Sequence, residues 1–290
     1  MRNCSVKSIG LVGLGLLGSA LADRLLSKGW SVSGFDVDAE RCDALSHSGG
    51  VALSGLSDVA AFDVILLSLP TSQVVAEVVS SIEGELRAGQ TIVDTTTGNP
   101  ADVESVAEVL ADIGVDYLDA TMGGSSQQAR DGDAVIMCGG PVDAFERCGG
   151  LFDDLAKRTF HLGPAGSGSR MKLAVNLVLG LNRAALAEGL AYAESIGLDP
   201  AATLEVLKAG PAASAVMVTK GQKMLDGNFE PQARLAQHLK DVRVILETGS
   251  AAGSKLPMSG VHRTLLEDLA EAGMGDLDNS AVIEAFRAAE

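Results

Sequence analysis

Near the start of the chain the apolar run Ser8-Ile9-Gly10-Leu11-Val12 breaks into Gly13-Leu14-Gly15-Leu16-Leu17-Gly18, and a helical pattern follows. Three glycines at this spacing constrain the backbone more than any other stretch. The first permits a tight turn, the second lets a bulky group reach the backbone, and the third packs the helix closely on a sheet. The helix beyond offers unpaired N–H groups and the positive end of its dipole to an anion. Asp36 ends the next apolar stretch, 18 residues after Gly18. A carboxylate there suits the hydroxyls of an adenine ribose and repels a 2′-phosphate. Val37, Asp38 and Ala39 come next, with no Arg immediately after Asp36. The spacing therefore predicts NAD in preference to NADP, bound by Gly13–Gly18 and Asp36. The competing reading is three helix-packing glycines and a surface carboxylate.

The same segment imitates a signal peptide: Arg2 and Lys7, then apolar Ile9–Leu17, then Ala20-Leu21-Ala22. Gly10, Gly13, Gly15 and Gly18 interrupt the apolar run too often for a good signal core. No other apolar stretch is expected to reach the ~18 residues that span a bilayer. The chain is expected to be cytoplasmic.

From Lys7 to Leu162 apolar runs alternate with helical patterns. Strands are predicted at 8–12, 31–36, 64–69, 91–94, 117–120, 134–138 and 159–162. Helices are predicted at 19–28, 39–48, 73–81, 101–113 and 142–155. This alternation implies an α/β fold with a mostly parallel, doubly wound Rossmann-type sheet. After Gly163-Pro164-Ala165-Gly166-Ser167-Gly168 only helical periodicity remains, at 170–196, 200–209, 215–223, 232–252, 258–272 and 280–288. Two domains follow: a dinucleotide-binding domain over 1–163 and an all-α substrate and oligomerisation domain over 164–290. The helix 170–196 is apolar or small around nearly its whole circumference, which suits burial between domains or subunits. A homodimer or homotetramer is expected.

Two further constellations bear on chemistry. Met122-Gly123-Gly124-Ser125-Ser126, after Asp119-Ala120, reads as a turn whose N–H and O–H donors could hold an anion, or equally as a flexible turn. Lys172 and Asn176 are four residues apart and share a helix face among Leu173, Val175, Leu177 and Leu179. A Lys held against apolar surface is suited to proton transfer, since desolvation lowers its pKa. The alternative is a Lys that snorkels to solvent. Lys240-Asp241 is a weaker signal, because adjacent helical residues point in different directions.

Together these residues resemble the β-hydroxyacid dehydrogenases, the family of 3-hydroxyisobutyrate dehydrogenase, tartronate semialdehyde reductase and short relatives of 6-phosphogluconate dehydrogenase. Ile9–Gly18 looks like the family's opening fingerprint, Leu69-Pro70 its Leu-Pro, and Val93–Thr97 its segment beside the nicotinamide. Gly166-x-Gly168 with Lys172 and Asn176 matches its catalytic motif, and Leu239-Lys240-Asp241 its Lys-Asp pair. The resemblance implies Lys172 as general acid and base, and Asn176 as its substrate-binding neighbour. It also implies cofactor contacts from Leu69, Pro70, Thr96 and Lys240, and a small anionic substrate held by Gly123, Gly124, Ser125 and Ser126. One departure stands out. The family's Asp-Ala-Pro-Val-Ser-Gly-Gly reads here Asp119-Ala120-Thr121-Met122-Gly123-Gly124-Ser125, with Gly123 in place of the expected Ser. Gly at this place resembles the sulfolactaldehyde reductases, so the acid group is a carboxylate or a sulfonate.

Composition narrows the alternatives. With 22 Lys+Arg against 38 Asp+Glu the formal charge is −16, which opposes binding to nucleic acid and to anionic membranes. Cys4, Cys42, Cys138 and Cys148 form no C-x-x-C pair, and His47, His161, His238 and His262 are scattered, so no metal site is expected. An imine reductase would share the architecture but ordinarily lacks the helix Lys. A non-catalytic NAD-binding sensor would lose the Lys–Asn pair.

Overall fold

A computed structural model describes residues 7–287, so Arg2, Cys4 and Ala288 lie outside the described residues. Among the described residues there are eight strands: β1 Ser8–Val12, β2 Ser31–Phe35, β3 Val51–Ala52, β4 Val64–Leu67, β5 Thr91–Asp94, β6 Asp116–Gly123, β7 Val135–Gly139 and β8 Arg158–His161. They form one sheet in the order β3-β2-β1-β4-β5-β6-β7-β8. All neighbouring pairs run parallel except β6 and β7, which are antiparallel. Ile65, Leu66 and Leu67 of β4 are fully buried. Each contributes roughly 1.5–3 kcal/mol of transfer free energy, and that continuous burial is why β4 reads as an unbroken apolar run.

The helices of this part are α1 Leu16–Ser27, α2 Ala39–His47, α3 Ser72–Ile82, α4 Pro100–Asp112, α5 Ser126–Asp131, α6 Val142–Arg147 and α7 Gly149–Leu155. Two buried cores lie against the sheet. One is built on Ile9, Leu21, Leu25 and Phe152, the other on Val12, Ile65, Val79 and Leu110. The strand order reverses between β1 and β4, so the carboxyl end of β1 is the switch point at which open α/β sheets bind ligands. Gly13–Gly18 begins there.

After β8 come α8 Ser167–Ser195, α9 Pro200–Ala209, α10 Ala215–Asp226, α11 Leu235–Ala251 and α12 Pro257–Leu269, then short turns of helix at Ala270–Met274 and Asn279–Ala285. The chain divides into two compact units, the first ending at Lys172 and the second beginning at Leu173, inside α8. The second unit has its own core of Leu186, Leu190, Leu204, Met224, Leu266 and Val282.

Several expectations change. The single helix predicted at 142–155 is two, α6 and α7, meeting at Cys148. The strand predicted to end at Ala120 runs to Gly123, because β7 pairs Thr121, Met122 and Gly123 with Met137, Ile136 and Val135. Met122 and Gly123 are therefore strand, and the turn is confined to Gly124 and Ser125. Contrary to the expectation from apolar run length, α8 is long and apolar enough to cross a membrane. Its Leu, Val and Ala residues raise its hydropathy, while Leu186, Ala187 and Leu190 pack in the core of the second unit.

Candidate active site

The turn after β1 explains its glycines. Gly13 has φ +92°, and a Cβ there would lie 2.2 Å from the Ser68 carbonyl oxygen. A Cβ on Gly18 would lie 1.9 Å from the Gly13 carbonyl oxygen, so α1 could not approach the turn. Gly15 is different. Its Cβ would meet only Arg41 Nη1, at 3.9 Å, so its face of the turn is open to a ligand. Gly15 is also the N-cap of α1, whose first-turn amides at Leu16, Leu17 and Gly18 have no acceptor within the helix. No acidic residue occupies that first turn. These features suit a pyrophosphate, and the turn fits a dinucleotide.

Asp36 stands at the edge of the turn and is 9 % exposed. One carboxylate oxygen accepts from Leu14 N at 2.7 Å and the other from Asp38 N at 2.9 Å. Arg41 Nη1 also lies 3.4 Å from Asp36. The three residues after Asp36 hold no Arg, and Arg41 lies beyond them in the chain. It sits on the first turn of α2, five residues on, and α2 turns it back toward the carboxylate. A cavity of about 250 Å³ beside Leu14, Ser19, Arg41 and Ser48 opens at this edge. A larger one, about 790 Å³, lies elsewhere in the unit against Glu104, Tyr117, Pro141 and Arg170. None of the predicted site residues line it.

The segment after β5 faces the same switch point. Leu69 N donates to Thr96 Oγ1 at 3.1 Å, which joins two predicted cofactor contacts. Pro70, beside them, is exposed. Thr96 N in turn donates to Asp94 Oδ1 at 2.9 Å. Asp94 is buried, and Tyr117 Oη donates to its other oxygen at 2.6 Å. Burial raises the Asp94 carboxyl to about 6, against the opposing pull of these hydrogen bonds.

Asp119 faces Asp94 across the β5–β6 pairing and holds the start of α8. Its carboxylate accepts from Gly166 N at 3.0 Å and Ser169 N at 2.7 Å, an acid at a helix N-terminus. Burial pushes its pKa up, and those amides oppose the shift. A Cβ on Gly168 would lie 2.3 Å from the Asp119 carbonyl oxygen and 2.5 Å from that of Met137. Gly168 thus lets α8 begin directly on the sheet. The consequence falls one turn later: Lys172 Nζ donates to the Met122 carbonyl at 2.6 Å. Lys172 and the Met122–Ser126 segment are brought together. Within that segment Ser125 Oγ caps α5 by accepting from Gln128 N, and Gln128 Oε1 accepts from Ser125 N.

Asn176 and Lys240 belong to the second unit. Asn176 Nδ2 donates to Asp241 Oδ2 at 3.0 Å, and Lys240 Nζ lies 3.7 Å from Asp241 Oδ1. Asp94 and Asp241 lie within motifs legible in the sequence, but their contacts, like those of Tyr117 and Asp119, are not. The available signal was a carboxylate set in an apolar strand, as in Tyr117-Leu118-Asp119-Ala120.

Residues 8–163 match the NAD binding domain of 6-phosphogluconate dehydrogenase, and residues 166–286 match the NAD-binding domain of NADP-dependent 3-hydroxyisobutyrate dehydrogenase. The chain belongs to the β-hydroxyacid dehydrogenase family. It is 32% identical to 2-(hydroxymethyl)glutarate dehydrogenase of Eubacterium barkeri, over 96% of this chain and 94% of that one. It is 31% identical to 2-hydroxy-3-oxopropionate reductase of Escherichia coli strain K12, over 96% of each chain. Among solved structures, 3-hydroxyisobutyrate dehydrogenase of Mycobacterium tuberculosis superimposes with a TM-score of 0.89 at 25% identity, covering 98% of this chain and 100% of the other. As a family member the chain is an NAD(P)-binding oxidoreductase of the hydroxyacid dehydrogenase/reductase type.

Proposed function

We propose that this enzyme interconverts a small 3-hydroxy acid, or its sulfonate analogue, with the corresponding semialdehyde or keto acid, using NAD in preference to NADP. The observation that carries the reading is the 2.6 Å hydrogen bond from Lys172 Nζ to the Met122 carbonyl. That bond holds one of three ammonium donors and aims the amine beside the Gly123–Ser126 segment. When bound, the nicotinamide exchanges hydride with the reacting carbon. In reduction Lys172 gives a proton to the oxygen of that carbon, and in oxidation the neutral amine takes the hydroxyl proton. Asp241 accepts one Nδ2–H of the Asn176 carboxamide and fixes its orientation, so that the other Nδ2–H donates to the substrate oxygen and leaves the hydroxyl's one proton for Lys172. Leu69, Pro70, Thr96 and Lys240 border the cofactor.

Gly123 supports a bulky acid group. Its backbone has no positive φ, and a Cβ would meet Met137 Cε only at 3.5 Å, an ordinary contact. Backbone geometry does not require glycine at this place, so its effect is to leave room. Gly124, by contrast, has φ +144°. For the cofactor, Asp36 opposes a 2′-phosphate while Arg41 weakens that opposition, so the preference for NAD is modest. Subunits pair through the helical part, where α8 leaves Val178 and Tyr192 56% and 63% exposed. Turnover of a panel of 3-hydroxy acids, semialdehydes and one three-carbon sulfonate aldehyde, with NADH and NADPH, tests the proposal. Turnover of one member with NADH is expected; turnover of none would sink it. Sedimentation at micromolar concentration should give a dimer or tetramer, and a monomer would contradict the pairing.

A further inference from the structure

Among the described residues the second unit buries two cations, Arg183 and Lys220, and two carboxylates, Asp241 and Asp278, but its hydrogen bonds are unevenly shared. Lys220 Nζ donates to both oxygens of Asp278 at 2.8 Å, a buried pair. The same carboxylate accepts from Gln232 N, Ala233 N, Ser280 N and Ser280 Oγ. Its lone pairs are fully engaged. Arg183, on α8, is 3% exposed, and its Nε and Nη1 are buried with no hydrogen-bond partner among the described residues. The Asp278 charge partly compensates that of Arg183, but buried N–H donors left without acceptors still carry a desolvation cost, larger for a charged group.

A second donor-capable group stands near it. His262, on α12, is 3% exposed, and its Nε2 is buried without a hydrogen-bond partner among the described residues. Its ring centroid is 5.2 Å from that of His238 on α11. Burial, with the nearby Arg183 charge second, lowers the His262 pKa to about 4, so the ring is neutral near pH 7 and one of its nitrogens carries a hydrogen. The surroundings are tight. A Cβ on Gly180, one turn before Arg183, would lie 2.5 Å from His238 Nε2 and 2.9 Å from His262 Cε1.

We propose that Arg183 and His262 bind a single small monovalent anion of chloride size inside the helical unit. Arg183 supplies the charge and two fixed N–H donors, His262 supplies a third, and Asp278 is already taken by Lys220. Packing around Gly180 favours a monatomic ion over phosphate or a carboxylic acid. The anion would tie α8 to α12.

The test compares thermal unfolding in sodium chloride with sodium gluconate at equal ionic strength, for the wild-type chain and for Arg183→Met. Arg183→Met removes the charge together with its exchangeable ion, and Asp278 keeps Lys220 as its partner, so no fixed charge is stranded and the variant is expected to fold. Wild-type Tm should rise saturably with chloride by roughly 2–6 °C, the shift for ligand at tens of times its Kd. Arg183→Met should show no difference between the two salts. Bromide-soaked crystals provide the second measurement, with an anomalous peak expected at Arg183 Nε and His262 Nε2. Equal wild-type Tm in both salts, an equal chloride response in the variant, or a carboxylate of a second copy in place of bromide would each overturn the proposal.

Discussion

Asp94 offers a perturbation whose size follows from its surroundings. It is 1% exposed at the end of β5, and its carboxyl moves from 3.8 to about 6. Desolvation is the largest cause, the hydrogen bonds from Thr96 and Tyr117 oppose it, and the facing Asp119 adds a smaller push upward. A folded-state pKa above the unfolded one means that the native state holds the proton longer. The stabilisation is complete below pH 4 and is lost as pH rises through about 6. The 3.8-to-6 displacement corresponds to roughly 3 kcal/mol in full, of which about 2–3 kcal/mol falls between pH 4 and 7.5. Asp94→Asn removes the titration and leaves an oxygen to accept from Thr96 or Tyr117. Urea unfolding of both proteins at several pH values isolates the effect, because groups that do not interact with Asp94 cancel in the difference. The stability of Asp94→Asn relative to wild type should climb by about 2–3 kcal/mol from pH 4 to 7.5. A difference that stays flat over that window would refute the assignment of a desolvated, proton-holding Asp94.

Gly168→Ala should destabilise the enzyme by roughly 2 kcal/mol or more, since its Cβ meets two backbone oxygens that cannot swing away; urea unfolding indistinguishable from wild type would contradict the close approach. Asp36→Ser should narrow the NAD-over-NADP ratio of kcat/KM, and Arg41→Ala should widen it, each by about tenfold or less. Unchanged ratios in both variants would show that neither side chain meets the ribose. Gly123→Ser should fold normally, given its 3.5 Å clearance, yet shift kcat/KM from a sulfonate toward a carboxylate substrate. Parallel losses on both substrates would exclude selection by this position.

Much of the scaffold was legible because local signals and tertiary context agree. Val64–Leu67 is apolar throughout and buried throughout, and Gly13–Gly18 begins at the end of β1 where the motif requires it. What escaped the sequence was non-local. The two-residue β3, Val51–Ala52, is too short to carry a pattern. The extension of β6 to Gly123 depends on its antiparallel partner, whose pairing no local signal in 116–123 announces. Arg41 lies five residues beyond Asp36, and only the first turn of α2 brings it back to the carboxylate. Asp94 closes the strand predicted at 91–94 and Asp119 lies within the one predicted at 117–120, whereas their contacts depend on Tyr117 and on the amides that begin α8. The Arg183–His262 cluster joins residues from two helices whose contact periodicity alone does not specify.

The central claim is that Lys172 transfers the proton, and Lys172→Ala tests it most directly. NADH binding and turnover should be measured on the same preparation with whichever hydroxy acid or aldehyde the panel identifies. Because Gly13–Gly18 and Asp36 hold the cofactor independently of this side chain, the Kd for NADH should change less than about threefold, below the ~1 kcal/mol of a typical lost contact. Turnover should fall by roughly a hundred- to ten-thousandfold, the usual contribution of a positioned general acid–base. Lys172→Arg should fall similarly, since a guanidinium keeps its proton near neutral pH. A Lys172→Ala enzyme that binds NADH normally and retains more than about a tenth of its turnover would contradict the account, because general acid–base loss of that size is incompatible with so small an effect.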